Sequence, residues 1–273
     1  MGQRHACIRG LRERFIFLTF ILGLVSALAG LGCGKGSQPE NKVFLATAGS
    51  MRVAIPDLMK GFSAKHPGVI VLPTYGSSGE LRKQVEGGAP IDGVIFASAK
   101  PVDDLIKAGR VDEASRRVVA TNQLVLIGPK DKDSKPTKPL TFATLSSLPE
   151  GEKLAVGDPG AVPAGQYARD ALQKLGVWAG LQGRLVLGSD VAAVLTYARR
   201  GEVAAAIVYK TDIQGIADVT LLDEARGDWA PRAEVVIGVV KGSKGEGMAR
   251  SFFDFLVSEG GQKILAERGF GPP

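Results

Sequence analysis

Between Asn41 and Phe270 the chain alternates short apolar runs with stretches whose apolar residues recur every three or four positions. The first pattern predicts buried strands and the second amphipathic helices. Strands are expected over 43–48, 69–75, 92–98, 123–128, 154–156, 184–187, 203–209 and 235–240. Helices are expected over 51–65, where Ala54, Leu58 and Phe62 share a face, and over 79–86 and 102–108, which stop at Gly87-Gly88 and Gly109. Another opens at 163–165 and turns Tyr167, Ala168, Ala171, Leu172 and Leu175 inward. Asp190 caps the next, which ends in Arg199-Arg200 and stops at Gly201, and 248–259 and 261–267 close the chain. Such alternation predicts an α/β fold with a mainly parallel sheet. Pro56 lies too deep in 51–65 for a first turn capped by Ser50, so an irregular start is expected there. The lysine- and proline-rich stretch 130–139 reads as a surface loop.

The first 32 residues follow a different pattern. Arg4, Arg9, Arg12 and Arg14 precede seventeen apolar or small residues, 15–31, too few for a comfortable membrane span and suited to a signal peptide. The segment ends Leu28-Ala29-Gly30-Leu31-Gly32-Cys33, which resembles a bacterial lipoprotein processing site with Cys33 as the lipid-bearing residue. Gly30 departs from the aliphatic residue usual there, and plain cleavage after Ala29 is the other reading. Residues 33–41 then form a polar linker. Removing the leader lowers the formal charge from +6 to about +3, because four arginines and Glu13 leave with it. No Lys/Arg run with interleaved aromatics remains, which argues against a nucleic-acid partner. One cysteine and one histidine, His66, survive processing, too few for a disulfide or a Cys/His metal site.

Candidate chemistry gathers at four strand-to-helix junctions: Thr47-Ala48-Gly49-Ser50, Gly76-Ser77-Ser78-Gly79, Pro163-Ala164-Gly165 and Ser189-Asp190-Val191. The third ends the most distinctive run of the chain, Gly157-Asp158-Pro159-Gly160-Ala161-Val162-Pro163-Ala164-Gly165. Small residues that open a helix leave backbone N–H groups free at the positive end of its dipole, which suits an anion without any cationic side chain. In open α/β sheets ligands bind at the carboxyl ends of the strands. Ser50 and Ser78 would each offer a hydroxyl and an amide, Ala164 and Val191 an amide, and Tyr209 a phenolic O–H. Plainer readings exist: Ser50, or Ser77 with Glu80 as a capping box, and Asp190 as helix caps, and Tyr209 as a core or rim residue.

Taken together these runs resemble the periplasmic molybdate-binding proteins of ABC transporters. The likeness spans about 42–270. It rests on Ala48-Gly49-Ser50, Tyr75-Gly76-Ser77-Ser78 with Leu81, Gly87-Gly88-Ala89-Pro90, Leu154 through Pro159, Val162-Pro163-Ala164-Gly165, Ala171 through Gly176, Asp190-Val191 and Ile207-Val208-Tyr209. The resemblance implies a type II periplasmic binding protein fold: two α/β lobes, two crossover segments and a ligand cleft between the lobes. It places the crossovers near Ala120-Thr121 and 229–233, giving one lobe of 42–120 plus 233–273 and another of 121–232. It implies molybdate or tungstate as ligand, held by Ser50, Ser78, Ala164, Val191 and Tyr209, with no cofactor and no direct metal-cation ligands. The implied partner is an ABC permease with its ATPase, met by a monomer outside the cytoplasm whose contact with the membrane is the lipid at Cys33. Gly79 stands where a third hydroxyl is common, and Ala192-Ala193 where an arginine is frequent.

Other classes fit less well. Serine hydrolysis would need a histidine, and His66 precedes Pro67 at an expected helix-to-strand turn. Neither a Gly-x-Ser-x-Gly elbow nor a phosphate loop ending Gly-Lys-Ser/Thr is present, so no enzyme is expected. The same fold with sulfate, phosphate or a small organic anion is the alternative.

Overall fold

The computed structural model describes residues 41–130 and 140–273. The leader, Cys33, the linker up to 40 and 131–139 of the surface loop lie outside these residues. The described strands form two five-stranded sheets, one in each of two lobes. The first has the order β2-β1-β3-β10-β4, built from β1 (Lys42–Ala48), β2 (Ile70–Gly76), β3 (Gly93–Phe96), β4 (Arg117–Asn122) and β10 (Ala233–Val239). The second has the order β7-β6-β8-β5-β9, built from β5 (Leu124–Pro129), β6 (Leu154–Gly157), β7 (Leu185–Gly188), β8 (Ala205–Tyr209) and β9 (Val219–Glu224).

Helices cover both faces of the first sheet, which is why β1 is apolar on both sides. Val43 and Leu45 pack with Phe62 of α1 (Ile55–Lys65), Phe252 of α7 (Glu246–Val257) and Leu265 of α8 (Glu259–Glu267). Phe44 and Ala46 point the other way, with Leu81 of α2 (Ser78–Glu86) and Leu105 of α3 (Ala99–Lys107). Successive strand residues face opposite sides of a sheet, so one strand serves two cores. The second lobe buries β5, β6 and β8 against α4 (Pro163–Lys174) and α6 (Val191–Arg199), with the single turn α5 (Trp178–Leu181) beside them. Among the described residues no helix is long and apolar enough to cross a membrane.

The expectation of mainly parallel sheets needs correction. Each sheet is mixed: three parallel strands, β2-β1-β3 or β7-β6-β8, are followed by one antiparallel strand, β10 or β5, and then by a fifth, β4 or β9, that runs with the first three but pairs only with the antiparallel one. Parallel neighbours require a crossover connection, usually a helix. β5 and β10 arrive instead from the other lobe, and nothing forces them into the parallel direction. β4 and β9 have no counterpart among the strands expected from the pattern, since their polar, part-exposed residues weaken the apolar signal. Only Gln123 separates β4 from β5, and the return runs from β9 through 225–232 to β10. The two crossings lie side by side. Asn122 pairs with Ala233, Val125 with Glu224, and the Gln123 side-chain amide donates to the Ala225 carbonyl at 3.0 Å.

The irregular start expected near Pro56 is present. A 3-10 turn, Gly49–Val53, follows β1, and α1 begins afresh with Pro56 in its first turn, where a missing N–H costs nothing.

Candidate functional site

The four junctions converge on one small cavity between the lobes. Its lining includes Gly49, Ser50 and Ser78 from the first lobe, and Ala164, Val191 and Tyr209 from the second. The five residues singled out from the sequence thus come together in space. The cavity leaves about 10 Å3 for the centre of a water-sized sphere. The space suits a small compact ion rather than an extended molecule.

Local sequence builds each wall. In the second lobe the Asp158 carbonyl accepts from the N–H groups of Ala161 and Val162, and its side chain accepts from Gly160 N at 2.8 Å. This curls the chain so that Pro163 starts α4. Gly165 is needed because a Cβ there would run into the Gly157 carbonyl. Ala164 is the second residue of α4, while Val191 and Ser78 are the first of α6 and α2. At those positions a backbone N–H has no intrahelical acceptor.

Capping and donor duties are divided between neighbours. Ser77 caps α2, accepting from Glu80 N at 3.2 Å, and Asp190 caps α6, accepting from Ala193 N at 2.8 Å. Ser78 is thereby spared; its oxygen accepts from Ala97 N at 3.1 Å, which leaves its proton to donate. Ser50 caps nothing. Its hydroxyl and that of Tyr209 are buried, each residue being 2% exposed, and neither has a hydrogen-bond partner in the protein. An unpartnered buried hydroxyl costs about 1–3 kcal/mol, and a fold rarely keeps two beside one cavity without a use for them.

The electrostatics favour donors over cations. Asp190 is the one charged residue in the lining, and its carboxylate is committed to its cap. Burial pushes the Tyr209 phenol well above its ordinary range, with Tyr167 and Asp212 adding, so the group stays protonated and able to donate. Asp212 gave no signal in the sequence. Its carboxylate accepts the Tyr209 N–H at 2.9 Å, and burial pushes its pKa up to about 7 despite that bond, with Asp190 adding. An acid with a raised folded pKa holds its proton more tightly in the fold than in the unfolded chain. Its contribution to stability therefore declines as pH climbs from about 4, the unfolded value, to about 7. Asp212→Asn should consequently gain on the wild type in thermal midpoint between about pH 4 and pH 7. Parallel midpoint curves for the two proteins would contradict this. Among the described residues no cluster of His, Cys, Asp or Glu could hold a metal ion.

Comparison with known proteins agrees with this architecture. The sequence model of the bacterial extracellular solute-binding proteins matches residues 43–271. The putative ABC transporter substrate-binding lipoprotein YvgL of Bacillus subtilis is 34% identical over 256 residues, spanning 92% of this chain and 96% of its own. The molybdate-binding protein ModA of Escherichia coli is 33% identical over 245 residues, spanning 90% and 95%. Among solved structures, the periplasmic molybdate-binding protein of Azotobacter vinelandii superposes with a TM-score of 0.74 at 21% identity, covering 85% of this chain and 99% of that one. At that identity the likeness speaks for the fold.

Proposed function

The chain belongs to the bacterial extracellular solute-binding proteins, transport components rather than enzymes, and from that premise we propose that it captures molybdate, and tungstate with it, between its lobes and delivers the ion to an ABC permease. Ser50, Ser78 and Tyr209 donate their hydroxyl protons to the oxyanion, and Ala164 and Val191 their backbone N–H groups. The observation that carries this reading is the pair of orphaned hydroxyls, Ser50 and Tyr209, facing three helix N-termini across a cavity of ion size. Likeness to a relative named for molybdate binding supports molybdate as the oxyanion. Cys33 carries the lipid that holds the protein at the membrane, and of the two lobes placed at 42–120 with 233–273 and at 121–232, the first runs on to Asn122, where β4 ends.

Neutral donors hold a dianion through converging charge-assisted hydrogen bonds and helix dipoles. Such a site also discriminates. Hydrogen phosphate carries a proton that needs an acceptor, and an all-donor lining leaves that proton unmet. Sulfate offers the same charge and shape as molybdate, so its rejection rests on the size of the cavity.

Titration calorimetry of the mature protein with molybdate, tungstate, sulfate and phosphate tests the proposal. Tight binding of the first two and weak binding of the others is expected; sulfate bound as tightly as molybdate would move the assignment to sulfate. At Ala164 the backbone N–H matters and the methyl group does not. Ala164→Pro removes that donor in a first turn that tolerates proline, and should weaken binding about tenfold or more. Ala164→Gly retains the N–H and should bind nearly as wild type. Equal losses in both would show that the side chain, rather than the amide, is what the site uses.

A further inference from the structure

A second cavity, of about 220 Å3, lies just outside the first and shares Val162 and Pro163 with it. Its first-lobe wall carries Arg82, Lys83, Ser98, Lys100 and Asp104. The inner lining is almost free of charge, whereas this one has three cations to one carboxylate. Lys100 pairs with Asp104 at 2.9 Å and Arg82 with Glu86, while Lys83 is exposed and pairs with neither.

Ser98 marks the place where a ligand would sit. It is 5% exposed, and its hydroxyl has no partner in the protein. It occupies the cap position of α3, yet its side chain does not cap that nine-residue helix. The N–H groups of Ala99 and Lys100, in the first turn, therefore lack both an intrahelical acceptor and a side-chain cap. Pro101 follows in the same turn, where its missing N–H removes nothing from the ladder. An unused buried hydroxyl, a helix N-terminus and a cationic wall meet at one cavity large enough for an oxyanion.

We propose that this outer cavity is a second anion site, which takes a small inorganic oxyanion such as sulfate at the N-terminus of α3. Ser98 and the amides of Ala99 and Lys100 donate to it, and Lys83 and Arg82 supply charge. The site stands on its own geometry and does not depend on which ion the inner cavity holds. Being charged and open to solvent, it binds more weakly than a buried donor cage and loses affinity as salt rises.

Amide NMR of the mature protein, titrated with sodium sulfate against a chloride control of equal ionic strength, reads the two cavities separately. Saturable shifts are expected at Ser98, Ala99 and Lys100. Ser98→Ala should weaken the apparent affinity at those amides about tenfold, and Lys83→Glu severalfold, without moving the response at Ser50 and Ala164. Shifts that follow chloride, or saturation unchanged in both variants, would overturn the proposal. Lys83 is on an exposed helix face, so its variant decides the matter if Ser98→Ala perturbs the fold. A missing response at Ser50 and Ala164 under molybdate would count against the inner site alone.

Discussion

Replacing Ser50 with Ala and Tyr209 with Phe together is expected to remove tight oxyanion binding while leaving the free protein as stable as before, or more so. Each hydroxyl would make one hydrogen bond to a charged ligand, worth about 1.5–3 kcal/mol, so the pair accounts for roughly a hundredfold to ten-thousandfold in affinity. In the closed form without an ion the same two groups are buried without partners and cost about 1–3 kcal/mol each. Removing them relieves that cost, the usual trade between stability and function at a binding site. Ser78→Ala supplies the contrast: it should weaken binding and also lower the thermal midpoint, because Ala97 N–H loses its acceptor. Calorimetry and thermal unfolding on the same preparations check both halves. A double variant that unfolds several degrees earlier yet still binds would make the two hydroxyls structural.

Gly79→Val should obstruct lobe closure. Gly79 N, in the first lobe, donates to the Ala161 carbonyl of the second at 3.1 Å, and a Cβ on Gly79 would approach that oxygen to 2.6 Å. The obstacle is backbone, which cannot swing aside as a flexible side chain would. Overlap of this kind costs about 1–3 kcal/mol or more. The cost falls on the closed form alone, because the contact exists only when the lobes meet. Affinity should drop about tenfold to a hundredfold with the thermal midpoint of the free protein unchanged, and small-angle scattering with saturating ligand should show a more open particle. Compaction equal to wild type would show that the 159–163 loop yields instead. The glycine that in sequence looked like a missing hydroxyl has a positive role: it lets the two backbones touch.

The division into apolar runs and helical spacings made the two-lobed α/β fold legible, since runs such as 43–48 and 205–209 are buried on both sides. The antiparallel direction of β5 and β10 was not legible, because it is set by which lobe a strand comes from, and no local pattern records that. At the cavity, glycine, serine and proline placed before helices pointed to Ser50, Ser78, Ala164 and Val191, and the end of a strand pointed to Tyr209. Ser98 and Asp212 escaped notice for opposite reasons. Ser98 sits at an ordinary cap position and matters only because it does not cap. Asp212 is one acid among many until folding half-buries it and sets its carboxylate against the Tyr209 N–H.

The two crossings between the lobes bear on selectivity. Because β4 runs into β5 through one residue, and Gln123 is hydrogen-bonded across to Ala225 in the returning segment, the linkage resembles a double-pinned door rather than a string. Two adjacent crossings so joined would favour bending about one axis over twist and slide, and closure guided in this way would return Ser50 and Ser78 to the same distance from Ala164 and Val191. A site that separates ions by radius needs that reproducibility more than it needs extra donors. The discrimination between two tetrahedral dianions is, on this view, partly a mechanical property of residues that never touch either one.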